Sequence, residues 1–124
     1  MIKLVETFIE NYSTNETFEF YVTCESCENV YGKTTKRFSK SGAVPTSQIE
    51  KTLWNALYEQ EMRMVRQIAV RHAAEQMNYC PVCKRLVCNQ CFVICDELDM
   101  CKQCASTLNQ EGKPVLPEII GTTA

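Results

Sequence analysis

Eight of the nine cysteines in this 124-residue chain stand in four Cys-x-x-Cys units, Cys24/Cys27, Cys80/Cys83, Cys88/Cys91 and Cys101/Cys104, with Cys95 left over. Two sulfurs three residues apart can take adjacent corners of one tetrahedron while the backbone turns between them. Four such units therefore supply two four-cysteine zinc sites, and two Zn²⁺ per chain are the expected cofactors. Sites of this kind are closed, with no position left for a reactive water, which points away from metal-assisted hydrolysis. No Ser/His/Asp set, glycine-rich phosphate loop or H-E-x-x-H motif offers another chemistry. The chain reads as a non-enzyme.

The compartment follows from what surrounds the cysteines. The opening MIKLVETFIENY has its apolar run broken by Glu6 and Glu10, unlike a signal peptide. No stretch approaches the ~18 apolar residues of a membrane span. A reducing cytoplasm is the expected location, and there paired cysteines are metal ligands in preference to disulfides. The formal charge of −2 counts every thiol as neutral; eight thiolates lower it by eight, two Zn²⁺ restore four, and the loaded chain stands at −6. That acidity disfavours nucleic-acid binding, whose affinity rests on phosphate neutralisation by Lys and Arg. Lys84, Arg85, Lys102, Lys33, Lys36 and Arg37 sit beside the cysteine pairs, where attraction at short range would offset thiolate charge.

The elements that must position these pairs form one small α+β domain over 1–124. Residues 17–23, TFEFYVT, alternate Phe18, Phe20 and Val22 with polar or half-polar neighbours, the pattern of a half-buried strand. With a turn signal at Gly32 and a second β-prone stretch, 17–38 is expected to be a hairpin or ribbon carrying Cys24 and Cys27 near its bend. After the connector SKSGAVPT, Ser47 and Glu50 make an S-x-x-E capping box. No Gly or Pro intervenes from there to 77, which predicts a helix about 45 Å long. Asn55, Glu59, Arg63 and Arg66 form its polar stripe, with Glu59 and Arg63 as an i,i+4 pair. The rest is so broadly apolar that it must be covered on more than one side. The ribbon and cysteine module are one cover; a protein partner or a second copy is the other, with Trp54, Tyr58, Met62 and Val65 as candidate contact residues. Residues 78–112 hold the remaining pairs. Leu86-Val87 and Phe92-Val93-Ile94 are expected to pair as a small hairpin, Asp96–Asp99 to turn, and Cys101–Cys104 to open a short helix ended by Gly112. The tail, 113–124, is expected to be extended or disordered.

A knuckle, a hairpin and a helix carrying the second pair make a treble-clef arrangement, which puts Cys80 and Cys83 with Cys101 and Cys104. Joining Cys80/Cys83 to Cys88/Cys91 is the alternative, but only four residues separate them, and closing so tight a hairpin on one ion would strain it. Interleaving then gives Cys24, Cys27, Cys88 and Cys91 as the first site. The segment CPVCKRLVCNQC resembles the C-x2-C-x4-C-x2-C core of FYVE-type zinc fingers, and the four pairs together resemble the cross-brace framework shared with RING domains. That resemblance implies the same interleaving, pairs one and three on one zinc, two and four on the other. It does not imply inositol-lipid binding, because Gln76-Met77-Asn78-Tyr79 stands before Cys80 where basic residues would be needed. The run CPVCKRLVCNQCFVICDELDMCKQC is also similar to small, uncharacterised bacterial cytoplasmic zinc-finger proteins. Cys95 is read as a small buried hydrophobe, and His72, the single histidine, as a surface or packing residue.

The reading as a whole is a non-enzymatic, zinc-stabilised interaction or scaffold module. A nucleic-acid-binding zinc finger using Lys84, Arg85, Arg63, Arg66 and Arg71 is the alternative, and a thiol–disulfide protein the next.

Overall fold

The computed structural model describes residues 1–115. Of the expected tail, Pro117 and its neighbours lie outside the described residues. The chain begins with a helix that the sequence reading did not foresee, α1 (Ile2–Phe8), whose Val5 is buried. A short strand, β1 (Glu10–Asn11), then pairs with β2 (Thr17–Thr23). In β2 the side chains of Phe18, Phe20 and Val22 point into the protein and are buried. β3 (Val30–Arg37) runs antiparallel to β2, from Thr17 opposite Arg37 to Thr23 opposite Val30.

Gly32, read as a turn signal, lies within β3 instead. Phe20 faces Thr34 while Val22 faces Tyr31, so β3 bulges by one residue, and Gly32 takes φ +66° there. A Cβ at this position would stand 2.8 Å from the Cβ and backbone N of Ala73 on the long helix. Glycine against alanine is what lets helix and strand approach. The bend of the ribbon is the Cys24–Cys27 segment itself.

The long helix, α2, spans Gln48–Gln76. Ser47 caps it by accepting from the Glu50 N–H at 3.1 Å. The Glu50 carboxylate reaches back past the cap to Thr46, accepting from its N–H at 2.8 Å and its hydroxyl at 2.9 Å. At the other end no Gly or Pro stops the helix; Met77 simply turns extended and begins β4 (Met77–Tyr79).

One face of α2 lies on the ribbon. Phe18, Phe20, Phe38, Val65 and Ala69 are buried together, with Trp54, Leu57, Tyr58 and Met62 packed at the margin. Phe38 is the hub: its ring meets Trp54 edge-on at 5.1 Å and Tyr58 edge-on at 5.2 Å. The Tyr58 hydroxyl donates to the Thr14 carbonyl at 2.7 Å. Trp54, Tyr58, Met62 and Val65, singled out as contact residues, are therefore turned toward the ribbon. The large apolar side chains that α2 leaves exposed are Ile49, Leu53, Met64 and Ile68. The ion pair expected between Glu59 and Arg63 is not formed; the one among the described residues joins Lys33 to Glu19 at 3.5 Å. Arg66 instead donates to the Glu6 carbonyl of α1 at 2.9 Å.

Past α2 the strands are short. β4 pairs with β5 (Leu86–Cys88) across the Cys80–Cys83 turn. Cys88 leads into a single 3-10 turn, Asn89–Cys91, and then β6 (Phe92–Cys95). β6 does not pair with β5, as the sequence reading had it. It takes β7 (Met100–Cys101) on one side and β8 (Gly112–Pro114) on the other. Between β7 and β8 lies α3 (Lys102–Thr107). The start of the tail is thus a strand. A second core runs from Val5, Val22, Val70, Ala73 and Met77 into Leu86, Val87 and the buried cysteines. No helix of the described residues is long and apolar enough to cross a membrane.

Candidate metal centres

Two groups of four thiols assemble within this frame. Cys24, Cys27, Cys88 and Cys91 form one cluster, and Cys80, Cys83, Cys101 and Cys104 the other; within each, every sulfur lies within 4.8 Å of the rest. Cys95 joins neither: it is buried on β6, and its Sγ would be 2.9 Å from a Cβ on Gly112 of β8. His72 is exposed on α2.

Each cluster is built from the same two parts. The first is a knuckle. Cys24 N–H donates to the Asn29 carbonyl at 2.9 Å and the Cys24 carbonyl accepts from Glu28 N–H at 2.9 Å; Cys80 makes the corresponding bonds with Arg85 and Lys84 at 2.9 and 2.8 Å. The residue after each knuckle is left-handed, Glu28 at φ 66° and Lys84 at φ 64°. The second part is a cysteine at the entrance to a helical turn, Cys88 before the 3-10 turn and Cys101 before α3. In both clusters its N–H donates to the first sulfur of the knuckle, Cys88 to Cys24 Sγ at 3.2 Å and Cys101 to Cys80 Sγ at 3.3 Å.

These N–H groups are directed at sulfur in the way a thiolate demands. For Cys24 burial acts to raise the pKa, but the N–H groups of Cys27, Cys88 and Ser26 outweigh it and the thiol falls to about 7. Cys80 behaves alike: burial opposes ionisation, the N–H groups of Cys83, Cys101 and Val82 prevail, and the value is about 6. Burial wins at Cys91 and Cys104, pushed up to about 12. Four thiols so close cannot all ionise unaided, because each thiolate repels the next.

A cation at the centre would remove that conflict. Metal–sulfur bonds of about 2.3 Å at tetrahedral angles place neighbouring sulfurs about 3.8 Å apart. Cys27 Sγ stands 3.8 Å from Cys88 Sγ, and Cys83 Sγ stands 3.8 Å from Cys101 Sγ. Both clusters fit a four-thiolate metal ion.

The outer contacts tie the clusters together. Arg85 donates from Nε to Cys83 Sγ at 3.3 Å and from Nη2 to Cys101 Sγ at 3.6 Å. Its Nη1 donates to the Glu25 carbonyl at 2.9 Å, and Nη2 also reaches Gln103 Oε1 at 2.9 Å. Bonding to those sulfurs, Cys83 first, raises the guanidinium pKa further. Glu25, inside the first knuckle, donates its N–H to the Leu86 carbonyl at 3.0 Å and accepts from Leu86 N–H on Oε1 at 3.2 Å. Tyr31 is raised above its ordinary value, chiefly by the Cys88 thiol beside it. The sequence showed Arg85 as a cation near a knuckle; the roles of Glu25 and Tyr31 carried no signal, since only the fold brings Leu86 and Cys88 beside them.

No known protein family, curated protein or solved structure matches the chain.

Proposed function

We propose that both clusters are closed structural Zn²⁺ sites, interleaved as a cross-brace of treble-clef type, and that the chain is a non-enzymatic interaction or scaffold module. The observation that carries this reading is the assembly of all eight paired cysteines into two tetrads. Sulfur-only ligation in a tetrahedral cage favours zinc. Thiolate-directed N–H groups and a guanidinium around closed sets are what a structural ion needs, and they leave no place for a reacting water.

The contact surface in this proposal is the side of α2 that bears Ile49, Leu53, Met64 and Ile68, which a small domain otherwise leaves in water. Nucleic-acid binding is the weaker reading: Arg85 and Arg66, two of its candidate cations, are engaged by sulfur and by carbonyl groups.

Elemental analysis joined to sedimentation tests the proposal. Two zincs per chain are expected, and the double substitution Leu53→Lys with Met64→Lys should keep both while abolishing association with itself or a partner protein. Unchanged association in that variant would overturn the assignment of the surface; absence of zinc would overturn the module.

A further inference from the structure

The two clusters share a construction and differ in the charge around it. The first knuckle and the residue after it read Cys-Glu-Ser-Cys-Glu, whereas the second cluster is written Cys-Pro-Val-Cys-Lys-Arg and Cys-Lys-Gln-Cys. A divalent ion held by four thiolates keeps two negative charges on its sulfurs. At the second cluster Arg85 offsets one of them through its bonds to Cys83 and Cys101. Among the described residues no Lys or Arg donates to a sulfur of the first. Cys24 Sγ accepts only neutral backbone N–H groups, from Ser26 and Cys27 at 3.4 Å and from Cys88 at 3.2 Å. Glu25 and Glu28 add negative charge beside it.

Access separates the clusters in the same direction. Cys27 is an exposed residue, while the most accessible cysteines of the second cluster, Cys83 and Cys104, are half-buried. Where a metal already holds the sulfur as thiolate, a cation bonded to it lowers its basicity and with it its nucleophilicity, so the uncompensated sulfur attacks faster; exposure lets a reagent reach it.

We propose that the first cluster is an oxidative modification site for small hydroperoxides, with Cys27 the thiolate that reacts first, and that Arg85 protects the second cluster. The proposal rests on the zinc reading above. The Cys27 sulfur attacks the nearer peroxide oxygen, the O–O bond breaks, and hydroxide leaves as Cys27 becomes a sulfenic acid. Cys88 Sγ, 3.8 Å away, then attacks that sulfur, breaks the S–O bond and expels a second hydroxide. Two thiolates have lost two electrons to one peroxide, and a disulfide stands in their place. Only Cys24 and Cys91 remain as ligands, too few to retain the ion. The bend of the ribbon then stays joined to β5 through the new disulfide, while Cys91, at the end of the 3-10 turn, loses its metal link to Cys24.

The test begins with chain that native mass spectrometry shows to hold two zincs. One equivalent of hydrogen peroxide is added in the presence of a chromogenic zinc chelator, and the products are mapped by alkylation and peptide mass. One zinc per chain should be released, with Cys27 in a disulfide and Cys80, Cys83, Cys101 and Cys104 still unoxidised. Arg85→Gln should speed zinc loss from the second cluster by about tenfold, the size of one charge-assisted hydrogen bond. Glu28→Lys, a change at an exposed side chain, should slow loss from the first by about threefold. Loss of both ions together, or of the second cluster's ion first, would overturn the proposal, as would unchanged rates in both variants. Fewer than two zincs before peroxide is added would overturn the metal reading itself, and the proposal with it.

Discussion

The ribbon half of the molecule and the cysteine half hold themselves together by different means. Where α2 lies on β2 and β3, Phe18, Phe20 and Phe38 are buried against Val65 and Ala69, with Trp54 and Tyr58 stacked on each other and edge-on to Phe38. Aromatic residues of this size carry a large apolar payload, so that half has a core of its own. After Met77 the strands are two to four residues long, and five of the buried side chains there are cysteines, Cys80, Cys88, Cys95, Cys101 and, from the ribbon, Cys24. Strands so short do not stabilise themselves, and a small region lacking apolar bulk needs a cross-link. One half should therefore outlast loss of its metals and the other should not.

The strongest way to break this comparison is to remove the ions. A structural zinc site of this kind contributes about 10–16 kcal/mol of linked folding energy in small zinc-finger domains. Chelation should abolish amide protection over 77–115 while β2, β3 and the α2 residues against them remain protected in hydrogen exchange. Uniform loss over both halves would show that the aromatic core does not stand by itself.

Single ligands sharpen the same contrast. Cys88→Ser and Cys80→Ser should each release one metal and unfold much of the cysteine half, whereas Cys95→Ser should keep both metals, as read by elemental analysis. Metal loss in Cys95→Ser equal to that in the others would contradict the ligand sets.

On the aromatic side, Phe38→Ala removes the ring on which Trp54 and Tyr58 rest. It should lower stability by about 3 to 5 kcal/mol in denaturant titration without changing the metal count. A variant that lost metal would show the halves to be coupled through their cores.

The smallest effect belongs to the entrance of α2. The N–H of Thr46, then its hydroxyl and the Ser47 N–H, hold the Glu50 carboxyl below its ordinary 4.5. A carboxyl whose folded pKa is depressed adds stability above its unfolded value and gives it up as pH falls through the folded one. Fraying of the first turn should thus set in below pH 4.5, with an NMR midpoint for Glu50 under that value. A midpoint at or above it would deny the cap bonds.

What the sequence disclosed tracks how local the signal was. Alternation at Phe18, Phe20 and Val22 and the cap at Ser47 are written in neighbouring residues, and β2 and the start of α2 lie where those signals stand. Helix α1 was missed because Ile2–Phe8 has no side-chain cap bond at its N-terminus and depends on packing against α2, with Val5 buried and Arg66 bonded to Glu6. Gly32 was misread because a glycine that turns a chain and one that admits a helix look alike; Ala73, distant in sequence, decides between them. The partner of β6 was misassigned for a related reason. Lys113 and Pro114 carry little strand signal and pair only because α3 returns the chain beside Val93 and Ile94. On α2, breadth of apolar surface was legible but direction was not, since the face that turns inward is chosen by Phe38 and Phe18. The spacing of the cysteines exposed the ligand types, while the charge contrast between Arg85 and Glu25 took its meaning from the fold.

Native mass spectrometry of the purified chain tests the central claim most directly, because metal mass, metal count and subunit number are read together. The account predicts two zincs per chain, with no mass deficit from disulfides. One zinc or none, with the loss of hydrogens that marks disulfide formation, would contradict it.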